Sequence, residues 1–156
     1  MKKLIILFIF LSSCYTSSVE NSNNEFIFSE IEIIYLEIAN ANKIFFQSMF
    51  NDIKSDYSEY SNNNISKEEF AIKASRYTSK SRIYLDDIIS HSSSERFEND
   101  LRTSLLIKTH KEIIDTFSKI ENEANIKKLD ILIGSLDVLI QDYEINLENI
   151  INNPDL

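Results

Sequence analysis

Glycine and proline are almost missing from this chain, with one of each in 156 residues. Hairpin turns of the common β types are built largely on glycine, and both residues punctuate most loops, so a β-rich fold has almost nothing to turn on. A single glycine also rules out a Gly-rich phosphate loop, and no Gly-x-Ser-x-Gly elbow is present to raise a nucleophilic serine. One cysteine, Cys14, excludes an intramolecular disulfide and the Cys-x-x-Cys-His attachment of haem. The two histidines, His91 and His110, belong to no Glu-x-x-His pair, which is how a helical bundle holds a metal in its core. Asp87, His91 and Glu95 follow each other at intervals of four, but Ser92-Ser93-Ser94 interrupts the helix on which they would converge, so zinc is not expected there. Carboxylates are plentiful, yet no pair stands out as acid and base. Neither an enzyme nor a cofactor is expected.

Charge is the next constraint. Twenty-five Asp and Glu against sixteen Lys and Arg leave a net charge of −9. Such a surface is repelled by nucleic acid and by anionic lipid headgroups, whereas a cationic partner is drawn to it.

The amino end carries the most specific pattern. Met1-Lys2-Lys3 is basic, Leu4 to Leu11 is an unbroken apolar run, and Leu11-Ser12-Ser13-Cys14 closes it. The run is far shorter than the roughly 20 residues needed to cross a bilayer, so it reads as a cleavable segment. These residues resemble the signal and lipobox of bacterial lipoproteins. The resemblance implies that Cys14 receives the lipid and that residues 1–13 are removed, leaving 143 residues. Loss of Lys2 and Lys3 would take the charge from −9 to −11. It further implies two or three acyl chains, palmitate among the fatty acids of that kind, and a lasting membrane attachment, since each buried CH₂ adds about 0.8 kcal/mol. Tyr15 stands where an Asp would favour inner-membrane retention, so the resemblance points to an outer-membrane site, on the cell surface or facing the periplasm. Residues 14–25 are polar and poor in apolar groups, and are expected to form a flexible tether.

The remainder, residues 26–153, reads as one domain of amphipathic helices, long enough for a hydrophobic core. The first helix is expected from Phe26 to Ser61, with its apolar stripe on Ile27, Ile31, Ile34, Ile38, Ala41, Phe45, Met49 and Ile53. Tyr35, Phe46 and Phe50 widen that face. A helix with two neighbours explains the width. Alternatively, Phe45, Phe46, Met49 and Phe50 form a face for an apolar ligand or a partner helix. Ser66 and Glu69 have capping-box spacing and open a second helix to Ser90, with Phe70, Ala74, Tyr77, Tyr84 and Ile88 inward. Ser92 and Glu95 repeat that spacing before a third helix from Glu95 to Glu123. Its stripe runs Phe97, Leu101, Leu105, then drifts to Leu106, His110, Ile113, Phe117 and Ile120.

Asn125 is the expected N-cap of the last helix, in which Ile126, Leu129, Ile133, Leu136, Ile140, Tyr143, Leu147 and Ile150 repeat without a miss. Gly134 sits beside this seam, either because a neighbouring helix comes close or by drift, and Pro154 stops the helix. Lys73, Arg76 and Lys80 make a basic stripe on the second helix that antiparallel packing would bring toward Asp52, Asp56 and Glu59 on the first; mutual neutralisation is expected, an anionic partner being the minor alternative.

The expected fold is therefore all-α, an antiparallel bundle of four helices, with three plus one outside as the alternative. The expected function is that of a lipid-anchored module that binds a protein partner, with a carrier of an apolar small ligand as the alternative. Oligomeric state is open: the wide face of the first helix serves a dimer as well as a core.

Overall fold

A computed structural model describes residues 28–153. The signal segment, Cys14, the start of the first expected helix at Phe26 and Ile27, and Pro154 lie outside them. The described residues form five helices and no strand: α1 Glu30–Ser61, α2 Lys67–Ser90, α3 Glu95–Asn99, α4 Leu101–Asn122 and α5 Ile126–Asn152. The four long helices close a ring in which α1 touches α2, α2 touches α4, α4 touches α5, and α5 returns to α1. Their direction follows from the bonds between them. On α1, Ala39 pairs with Tyr143 of α5 and Tyr57 with Asp130. On α2, Tyr84 meets Asn42 of α1 and Tyr77 meets Asp56. Arg102 of α4 reaches Asn149 of α5, and Asn146 reaches Thr109. Each neighbour runs antiparallel to the last, which is the expected up-down-up-down bundle.

Local chemistry explains where the helices begin. Ser29 and Glu32 form a capping box that starts α1, so the helix opens at Glu30 rather than at Phe26. Ser66 and Glu69 form the expected box on α2, with Glu69 N–H donating to Ser66 Oγ at 3.1 Å and Ser66 N–H to the Glu69 carboxylate at 2.8 Å. Asn125 caps α5 as expected. The third helix departs from expectation. Ser94, not Ser92, is the cap of α3, and the helix breaks at Asp100. Asp100 leaves the helical backbone region, accepts from Arg102 N–H at 2.9 Å and so caps α4. The break accounts for the drifting stripe. Phe97 turns inward on α3 against Tyr35, with ring centroids 4.6 Å apart, while α4 restarts in a new register on Thr103, Leu106 and His110. Leu101, 72 % exposed, and Leu105 are left outside.

The core stripe of α1 is also one residue away from expectation over its first half. Tyr35, Ala39, Asn42 and Phe46 are buried, joining the expected Met49 and Ile53, while Ile31, Ile34 and Phe45 are exposed. Two adjacent stripes of this helix fit a 3.6-residue period equally well. The structure takes the one that places the largest rings at the centre: Phe46 packs edge-on against His110 at 4.7 Å and against Tyr143 at 5.1 Å. Asn42 is tolerated inside because its amide donates to the Tyr84 carbonyl. On α5 every expected position from Leu129 to Ile150 is buried, and only Ile126 at the start is exposed. Each fully buried side chain of this kind contributes about 1.5–3 kcal/mol. Gly134 faces open space: a Cβ there would meet nothing within 4 Å, so no close helix approach accounts for it.

Candidate functional site

The four residues read as a ligand or partner face do not share one. Phe46 and Met49 are core residues. Phe45 lies outside, stacked on Tyr84 with centroids 4.7 Å apart, and Phe50 is half-buried with the Lys54 ammonium 5.1 Å from its ring. None of the four lines either of two depressions on the surface of the described residues.

The first depression, of ≈ 420 Å³, lies at the α4–α5 corner between Lys119, Asn122, Glu123, Lys128, Ile131 and Leu132. Glu123 fills the turn there. Its carboxylate accepts from the backbone N–H of Asn125 at 2.8 Å and of Ala124 at 2.9 Å, which holds its pKa below the usual carboxylate range. The adjoining end of α1 is tied to this corner by tyrosines. Tyr60 donates to the Ala124 carbonyl, and Tyr57 donates to Asp130 at 2.6 Å. Partial burial, with the Asp130 carboxylate beside it, pushes the Tyr57 hydroxyl up to about 12.

The second depression, of ≈ 330 Å³, runs between the later half of α1 and the earlier half of α2 and is lined by Asp52, Ser55, Asp56, Lys73, Arg76, Tyr77 and Lys80. Antiparallel packing thus brings the basic stripe to the acidic one. Neutralisation is only partial. The Lys73 ammonium donates to Asp56 Oδ1 at 2.5 Å and the Tyr77 hydroxyl to Oδ2 at 2.9 Å, so both oxygens of that carboxylate are engaged. Burial and the Asp56 carboxylate raise the Tyr77 pKa, which keeps that hydroxyl a donor. Glu59 turns away and accepts from Asn64 in the loop. The part played by Tyr77 was not read from the sequence; its position one turn after Lys73 on the same flank is the signal that was there.

His110 occupies the centre of the bundle, fully buried among Phe46, Tyr143 and Ser81. The Ser81 carbonyl lies 2.9 Å from Nε2 and fixes that nitrogen as the N–H donor, which leaves Nδ1 unprotonated and without a partner. Burial lowers its pKa to about 4. A neutral imidazole sealed from solvent is a core element rather than a proton carrier for a substrate. Tyr143 beside it and Tyr35 further along the core are likewise held neutral, their pKa values raised by burial. His91 ends α2, its Nδ1 2.8 Å from the Asp87 carbonyl. Among the described residues no three His, Cys, Asp or Glu side chains converge as metal ligands, and no helix is long and apolar enough to cross a membrane. No protein family, curated protein or solved structure matches this chain.

Proposed function

We propose that this chain is a bacterial lipoprotein, acylated at Cys14, whose helical bundle works as a binding module for a protein partner, one of cationic surface, at the outer membrane. The observation that carries the reading is the basic start, short apolar run and lipobox of Met1 to Cys14. The direction of the bundle supports it. The chain enters at the end formed by the start of α1, the α2–α3 connection and the last turn of α5. Exposed Ile31, Ile33, Ile34, Ile89, Leu101 and Ile151 lie toward that end, where an apolar boundary costs them least, while others such as Ile72, Ile126 and Val138 are exposed elsewhere on the bundle. The opposite end, with the turns around Asn63 and Ala124, then points outward.

Mass spectrometry of the native product tests the anchor: an acylated amino-terminal Cys14 is expected, and a Cys14→Ser chain is expected to stay unprocessed. An unmodified polypeptide would sink the reading. The electrostatic part has its own test. A complex formed through the net charge of −11 left once residues 1–13 are removed weakens steeply as ionic strength rises past about 0.15 M, where the screening length is about 8 Å. A salt-indifferent complex rejects the cationic partner.

A further inference from the structure

We propose that the cleft between α1 and α2 binds an oxyanion group, phosphate or carboxylate, on Arg76 and Lys80. This goes beyond the lipoprotein reading and stands whether or not Cys14 is acylated.

The starting point is an imbalance of charge. Three cations and two carboxylates line the cleft, and one pair is closed: Asp56 gives one oxygen to Lys73 and the other to Tyr77. Both Asp56 oxygens are thus engaged, and its one ion pair among the described residues is with Lys73. Arg76 and Lys80 close no ion pair and no side-chain hydrogen bond with any described residue, since no carboxylate oxygen lies within 4.0 Å of either. They stand four apart on one helix face, with Lys73 three before Arg76, an arrangement in which like charges repel. Repulsion is left in place here although the chain holds nine more acids than bases. An anion seated between the guanidinium and the ammonium removes it.

The cleft has the form for such a guest. It is a groove of ≈ 330 Å³ open to solvent, which leaves room for an oxyanion and part of its hydration. Arg76 offers a planar fork that matches two oxygens of phosphate or carboxylate, and Lys80 adds a point charge from the next turn. Lys73 and Tyr77 are held back by Asp56 and shape the floor. Ser55 brings a hydroxyl from α1. Asp52 lines the same cleft with a carboxylate that makes no ion pair, and it opposes the guest. That opposition makes the sign of one substitution diagnostic.

The experiment is an NMR titration of the full chain in detergent with inorganic phosphate and, separately, acetate, at constant ionic strength. Saturable shifts of the Arg76 Nε–H and of the amides of residues 72–80 are expected, and the tighter probe identifies the preferred head group. Arg76→Gln with Lys80→Gln should weaken binding at least tenfold. Both side chains are exposed, so the bundle should keep its melting temperature. Asp52→Asn should tighten binding several-fold, and Arg82→Gln, outside the cleft on the same helix, should leave it unchanged. Linear, non-saturating shifts with both probes, undiminished affinity in the double variant, or weaker binding in Asp52→Asn would each overturn the proposal.

Discussion

His110 shows how a single side chain sets a condition on the whole core. Its Nε2–H is spent on the Ser81 carbonyl and its Nδ1 faces no partner, so a second proton would place an unpaired charge among Phe46 and Tyr143. With a folded pKa of about 4 against 6.5 in the unfolded chain, only the unfolded state takes up the proton between those values. Stability is then intact above pH 6.5 and is lost progressively as pH falls toward 4, by roughly 3 kcal/mol for this one group. In denaturant melts, a His110→Leu variant should lose the part of the acid limb between pH 6.5 and 4; an unchanged limb would mean that carboxylates alone produce it. Gly134 makes the opposite case, a residue with no structural duty. It lies exposed in mid-helix with open space where a Cβ would go, so Gly134→Ala should raise stability by up to about 1 kcal/mol, read as a higher urea midpoint at unchanged m-value.

At the scale of the element, the least foreseeable feature is the break at Asp100. Asn99-Asp100 favours local side-chain bonding over helix continuation, and the break ends α3 and caps α4 in one step. Arg102 then fastens the junction: its Nε donates to both Asp100 oxygens at 3.0 and 3.1 Å, and its Nη1 reaches the carbonyls of Asn149 and Asn153 at the end of α5. Replacing Asp100 by Ala removes a cap and releases that guanidinium, at an expected cost of about 2 kcal/mol, with faster amide exchange in both the first turn of α4 and the last turn of α5. Loss confined to α4 would show that Arg102 does not link the two ends. The contrast with α5 explains what sequence alone can reveal. In α5 one stripe is apolar throughout, whereas the stripe beside it interrupts Leu132 and Leu139 with Lys128, Ser135, Asp142 and Asn146, so the seam from Leu129 to Ile150 has a single solution. In α1 the stripe on Ile31, Ile34 and Phe45 competes with one containing Asn42, and pattern favours the wrong one. What decides is the fit of Tyr35 and Phe46 to rings on α3, α4 and α5, which is tertiary information. The candidate site divides in the same way. The meeting of Lys73 with Asp56 follows from helix order and loop length, whereas the bond from Tyr77 to the second Asp56 oxygen needs coordinates.

Among the described residues four long antiparallel helices close a ring, the full chain carries a net charge of −9, and the two facts pull against each other. The ring buries a continuous apolar core, while the surplus carboxylates repel across its surface and favour expansion. The ion pairs that oppose this are few and mostly reachable by solvent. Lys108 with Glu112 and Lys128 with Glu123 have side chains largely exposed on the lysine side, and each contributes about 0–1 kcal/mol. Among the described residues, Lys73 with Asp56, Arg96 with Glu32 and Arg102 with Asp100 set a well-shielded carboxylate against its cation. Screening should therefore weaken the net repulsion more than it weakens the attractive pairs. Added sodium chloride is expected to raise the melting temperature by roughly 2–5 °C between low and physiological ionic strength, corresponding to about 1 kcal/mol for a domain of this size. Calorimetry across a salt series settles the balance. A melting temperature that falls with salt would mean that the shielded pairs at Glu32, Asp56 and Asp100 outweigh the acidic surplus, and that the charge of this surface is organised for its own fold rather than left over for a cationic partner.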